Sequence, residues 1–196
     1  MKPHDRRSLL TRLVLFVLLG VFRLQGWSLS GSAPHSRKCV IIGAPHTSNW
    51  DFIFFLGTTN AFGLRPSFMG KHSLFHWPMG RFMREMGGLP IIRNTGRNYV
   101  SQISAEFARH DDLMLVVAPE GTRGGAAAWK SGFYHIALGA GVPIVLGWID
   151  GKNRRGGLGP EIMPTGDYAA DMAQIAAFYA SVLPGHPRLS AIRAEA

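Results

Sequence analysis

From Lys38 onward, short apolar runs alternate with longer stretches whose apolar residues recur at helical spacing. Strand-like runs fall at Cys39 to Ile42, Pro66 to Met69, Leu89 to Ile92, Leu113 to Ala118 and Pro143 to Ile149. Between them the spacing predicts helices over about 49–62, 73–86, 97–109 and 129–140, with Pro78 bending or dividing the second. A last helix is expected from Tyr168 to Val182, before Pro184, Gly185 and Pro187 lead into a tail. This alternation predicts the α/β class, a mixed, largely parallel sheet flanked by helices, with sites where strands end and helices begin.

Upstream lies the most apolar run of the chain, Leu13-Val-Leu-Phe-Val-Leu-Leu-Gly-Val-Phe22, closed by Arg12 and Arg23. Ten helical residues reach about 15 Å, roughly half the hydrocarbon thickness of a bilayer. A membrane-associated helix of this kind suits one leaflet, with arginine stems snorkelling to phosphates and Trp27 at headgroup level. Basic flanks favour the anionic cytoplasmic face. Two other readings stay open. A secretory signal peptide fits the charged start and the small residues Ser28 to Ala33, although Arg23 and Gln25 directly after the run weaken it; a plain core helix fits the apolar run alone. The expected organisation is a basic, apolar, membrane-associated segment over residues 1–37 and one catalytic-sized domain over 38–196. The expected location is the cell membrane, peripheral or monotopic, on the cytoplasmic face.

At 196 residues, 46% apolar and 17% charged, the chain is long enough for a substantial core without metal or disulfide staples. That composition excludes collagen-like, disulfide-rich and disordered classes. The single cysteine, Cys39, stands beside Val40, Ile41 and Ile42, which predicts a buried thiol rather than a nucleophile. The formal net charge is +9, and the first 40 residues hold seven basic side chains against one acid. Such a balance attracts nucleic acid, a membrane surface or a phosphorylated small molecule. Nucleic-acid motifs are absent, and the basic residues flank an apolar run, so the membrane surface is the expected partner and nucleic acid is not.

Three strand-to-helix junctions carry candidate chemistry. The first reads Gly43-Ala-Pro-His-Thr-Ser-Asn-Trp-Asp51. On one continuous helix His46 and Asp51 would lie about 140° apart around the axis, so His46 must precede the helix. If Ser48 or Asn49 caps that helix, Asp51 falls in its first turn and the loop can fold His46 over it. A carboxylate on one imidazole nitrogen fixes the tautomer and leaves the other to take a proton; the alternative is an ordinary loop histidine beside an N-terminal aspartate. The second junction, Gly87-Gly-Leu-Pro-Ile-Ile-Arg93, ends in a guanidinium suited to phosphate or carboxylate, or simply to solvent. The third, Ala118-Pro-Glu-Gly-Thr-Arg123 followed by Gly124 and Gly125, can nest an anion on backbone amides with Arg123 as counter-charge, or serve only as a turn. No Gly-x-Ser-x-Gly elbow is present. His72, His76 and His135 have no partner pattern, and His110-Asp111 reads as a polar turn rather than a metal pair. The apolar residues Phe52, Phe54, Phe55 and Leu56 read as core at helical spacing, with an acyl tunnel as the alternative.

With these junctions in this order, the chain resembles the PlsC-type glycerolipid acyltransferases, the lysophosphatidate and glycerol-3-phosphate acyltransferase superfamily, over about Val40 to Ile149. The family's His-x4-Asp motif matches His46 and Asp51. Its Gly-x5-Arg segment matches Gly87 to Arg93, its Phe-Pro-Glu-Gly-Thr-Arg segment matches Ala118 to Arg123, and its Val-Pro motif matches Val142-Pro-Ile-Val-Leu146. Ala118 stands where Phe is usual, Pro90 interrupts the second motif, and Leu146 replaces a common proline. The resemblance implies the glycerolipid acyltransferase fold, with residues 38–196 as the acyltransferase domain and no cofactor. It implies transfer of a fatty acyl group from acyl-CoA or acyl carrier protein to a hydroxyl of a lysophospholipid-type acceptor such as 1-acylglycerol-3-phosphate. His46 would be the general base and Asp51 its orienting partner, with Arg93, Glu120, Gly121, Thr122, Arg123 and Lys71 shaping an acceptor-phosphate site. Alternatives are another lipid hydroxyl as acceptor (lysophospholipid remodelling or an amino-acid lipid), a non-catalytic membrane-binding protein, and a hydrolase that gives the acyl group to water.

Overall fold

The computed structural model describes residues 8–48, 50–91, 96–121 and 127–192, with the backbone alone for Lys71, Ile91 and residues 96–99. In chain order the elements are α1 (Leu9–Leu24), β1 (Ser28–Ser30), β2 (Lys38–Ala44), α2 (Asp51–Ala61), β3 (Ser67–Lys71), α3 (Gly80–Glu85), β4 (Gly88–Ile91), α4 (Gly96–Arg109), β5 (Leu113–Val117), α5 (Gly132–Ala140), β6 (Ile144–Asp150), β7 (Arg155–Ile162) and α6 (Tyr168–Val182). Two 3-10 turns, His72–Phe75 and Pro187–Ala191, complete the order. The helix expected over 73–86 is divided at Pro78 into the first of these turns and α3.

Among the described residues, seven strands form one sheet in the order β1-β7-β6-β2-β5-β3-β4. The run from β6 to β4 is parallel throughout, β7 pairs antiparallel with β6, and β1 pairs parallel with β7. At the centre, Ile42 lies opposite Val117 of β5 and Leu146 of β6. A central parallel strand is covered on both faces, which is why β2 and β6 read as unbroken apolar runs.

The two faces of β2 sort its side chains by alternation. Val40, Ile42 and Ala44 point into the main core with Phe107, Phe133 and Tyr179 from α4, α5 and α6. On the other face Cys39 and Ile41 pack with Val145 and Leu158. Burial, with Glu161 and Asp112 nearby, pushes the fully buried Cys39 thiol up to about 12, so it stays protonated.

Helices α1 and α2 lie over this second face. Ser8 caps α1 by accepting from the Thr11 N–H, and Leu15 and Phe22 bury against α2. Gly57 of α2 is required there, because a Cβ would run into the Phe22 ring. The N-terminus of α1 is tied down by Glu85, which accepts from both the Ser8 N–H and hydroxyl and from Arg81. No helix among the described residues is long and apolar enough to cross a membrane.

Strands β1 and β7 fall where no strand is expected. Their physical reason is close approach: at Gly157 a Cβ would collide with the backbone carbonyl of Ser30, and at Gly156 with the Phe54 ring. The glycines that make residues 155–162 look like a loop are what allow a strand there.

Candidate active site

The chain leaves β2 at Ala44, loops through His46, and enters α2 at Asp51. His46 Nδ1 lies 3.0 Å from Asp51 Oδ2, with the imidazole 29% and the carboxylate 12% exposed. The cap differs from expectation. Trp50 occupies the position before the helix and makes no side-chain cap bond, while Asn49 lies outside the described residues. Instead Asp51 itself turns back, its Oδ2 accepting from the N–H groups of Thr47 at 2.6 Å and Ser48 at 2.9 Å. One carboxylate therefore closes the loop and holds the ring.

Burial pushes the Asp51 carboxyl up, but hydrogen bonds from His46 and from the Ser48 and Thr47 amides outweigh it and hold the group below its ordinary value. An ionised Asp51 accepts from Nδ1–H and so leaves Nε2 as the nitrogen that can take a proton.

The loop after β5 supplies the next contact. Glu120 is 1% exposed and turned inward, its Oε1 accepting from the backbone N–H of His46 at 3.1 Å. Its Oε2 accepts from Arg188 Nη1 at 2.6 Å, and that same nitrogen donates to the His46 carbonyl at 2.9 Å. Arg188 belongs to the second 3-10 turn, in the stretch the sequence marks as a tail. Gly121 adopts a left-handed φ of 66°, and the Lys130 side chain runs beside it, so an added Cβ would stand 3.1 Å from Lys130 Nζ.

His46 and Asp51 form part of the wall of a cavity of about 530 Å³, within the roughly 300–1,000 Å³ of small-molecule sites. It lies between α2 and the sheet, lined by Phe52, Phe55 and Thr58 on one side and Ile41, Gly43 and Phe68 on the other. Phe54 also lines it while packing on Phe22 and Trp27; Leu56 faces away and joins Leu15 and Met86 in a separate cluster. Core and cavity wall are here one set of side chains.

Of the remaining expected site residues, Lys71 is placed by its backbone at the end of β3, and Arg93, Thr122 and Arg123 lie outside the described residues. Glu120 meets the dyad's backbone rather than the cavity. The His72 and His76 rings stack edge-on at 5.0 Å. Among the described residues no group of three or more His, Cys, Asp and Glu is arranged to hold a metal ion.

The family model for Acyltransferase matches residues 29–149. No significant match is found among curated proteins. Among solved structures, the chain is similar to the crystal structure of the 1-acyl-sn-glycerophosphate (LPA) acyltransferase PlsC from Thermotoga maritima. That likeness has a TM-score of 0.57 and 18% identity, over 84% of this chain and 76% of that one. At that identity it speaks to the fold.

Proposed function

Because this chain belongs to the PlsC-type glycerolipid acyltransferase family and is an acyltransferase, we propose that it esterifies a lysophospholipid-type hydroxyl, such as that of 1-acylglycerol-3-phosphate. The donor is an acyl thioester of CoA or acyl carrier protein. His46 Nε2 takes the proton of the acceptor hydroxyl as its oxygen forms the new bond to the thioester carbonyl carbon. The C–S bond then breaks, and the imidazolium returns the proton to the leaving thiolate. Ionised Asp51 stabilises the imidazolium. The observation that carries this reading is the 3.0 Å His46–Asp51 pair in the wall of an apolar cavity suited to a fatty chain.

The acceptor's phosphate is assigned to Arg93 and Arg123, with Lys71, Gly121 and Thr122 as further candidates, on the strength of the motif match. A membrane surface is the natural place for such chemistry, because both acyl chains partition into lipid. Support comes from the exposed apolar stripe of α1, Leu9, Leu10, Leu13, Phe16 and Val17, and from exposed Arg12 and Arg23 on the same helix. Leu74 and Met79, which line the cavity, are half exposed beside a Trp77 that is 93% exposed.

The deciding experiment is thiol release by purified protein with acyl thioesters and a panel of lyso-acceptors. Release should require acceptor and fall by about 10²–10⁴-fold in His46→Ala. Undiminished release in that variant removes the base; release without acceptor makes the enzyme a hydrolase. Arg93→Ala and Arg123→Ala should each weaken acceptor use by about 1.5–3 kcal/mol, and unchanged acceptor dependence would take them out of the site.

A further inference from the structure

We propose that Arg188, in the C-terminal 3-10 turn, is a positioning residue for transfer: with Glu120 it clamps the peptide of His46 at both its N–H and its C=O. The inference rests on His46 being the base. Three contacts carry it. Glu120 Oε1 accepts the His46 N–H, Glu120 Oε2 accepts from Arg188 Nη1, and Arg188 Nη1 donates to the His46 carbonyl.

The clamp differs in kind from the Asp51 contact. Asp51 orients the ring from its own loop, five residues along the chain. Glu120 and Arg188 instead fix where the backbone beneath the ring sits, from 74 and 142 residues away. A buried carboxylate is tolerated only with a counter-charge and hydrogen bonds, and Glu120 at 1% exposure receives both.

The turn bearing Arg188 is itself held. The Trp129 N–H donates to the Ala191 carbonyl at 2.9 Å, Ala191 is buried, and Leu189 and Ile192 pack on the main core. The guanidinium therefore approaches the dyad from a docked segment. It lies beyond the 29–149 span of the family match, so the C-terminal segment contributes to a site whose dyad and Glu120 fall within that span.

Full-length wild type, Arg188→Met, Arg188→Lys, Glu120→Gln and Arg188→Met/Glu120→Gln separate the possibilities, assayed with acyl-CoA and lysophosphatidate. A reacting group displaced by about 1 Å costs on the order of 10²-fold in rate. Arg188→Met should therefore lower kcat about 10²-fold with both KM values within about threefold of wild type. The bonds to the His46 carbonyl and to Glu120 Oε2 both leave one nitrogen, Nη1, so a lysine ammonium with its three donors can supply them. Arg188→Lys should then recover kcat to within about tenfold of wild type. The double variant should be little slower than the worse single, as members of one unit are.

A readout independent of turnover is hydrogen exchange at the His46 amide. It should quicken at least about tenfold in Arg188→Met while the amides of β2 and β6 keep their protection. Wild-type kcat in Arg188→Met, independent losses in the double variant, or unchanged exchange at His46 overturns the clamp. If His46→Ala retains full turnover, the base assignment falls by itself, and the exchange measurement still decides whether Arg188 holds that peptide.

Discussion

Asp51 does two jobs with one carboxylate, and they separate by substitution. Its Oδ2 faces both His46 Nδ1 and the amides of Thr47 and Ser48. Asp51→Asn can keep an oxygen on the amides, yet it offers no charge to an imidazolium and can present an N–H to Nδ1, favouring the wrong tautomer. Turnover should fall about 10²–10⁴-fold with the melting temperature nearly unchanged; a variant with wild-type kcat would show that the carboxylate only closes the loop. The residue pair was legible in the sequence because a histidine in the loop before a helix-opening acid can fold back over it, although the same spacing also fitted an ordinary loop histidine. Arg188 was not, because nothing in local spacing links it to His46 and Glu120, 142 and 68 positions away.

At the scale of elements, α1 shows why periodicity alone leaves a helix ambiguous. The helix has two faces: Thr11, Leu15 and Phe22 bury, while Leu13, Phe16 and Val17 stay exposed. The membrane reading belongs to the exposed face. Leu13→Asp with Phe16→Asp should abolish sedimentation with anionic vesicles and leave stability within about 0.5 kcal/mol, as exposed substitutions do. Vesicle binding that survives would place the contact elsewhere. The buried face is anchored through Glu85, whose carboxyl burial would raise, but which hydrogen bonds from Thr11, Arg81 and Ser8 lower from 4.5 to about 2. A folded value below the unfolded one means that this stabilisation is complete above about 4.5 and is lost as pH falls toward 2. Thermal melts of wild type should therefore steepen in pH dependence across that window, and Glu85→Gln should flatten it; identical profiles would show that α1 is held by packing alone. Among strands, β2, β5 and β6 were legible as apolar runs. The glycine-rich β7 was not, since its small residues answer to Ser30 and Phe54, neighbours remote in sequence.

Across the whole molecule, parallel strand ends gather the dyad, the Glu120 loop and the end of β3 along one edge of the sheet, and the cavity runs from that edge beneath α2. Gly43 lines it from β2, where an added Cβ would meet only Val116 at 3.8 Å. Gly43→Val should fill this space and discriminate against long acyl thioesters while sparing short ones, an effect read by kcat/KM across a chain-length series. A uniform loss at every length would mean that the fatty chain lies elsewhere. One further consequence follows from α2 serving as both roof and source of the carboxylate. A donor too bulky for its berth would lift that helix and draw Asp51 away from the imidazole, so misfit tails would dock yet turn over slowly. Selectivity for tail shape would then be written into the chemical step and not only into binding.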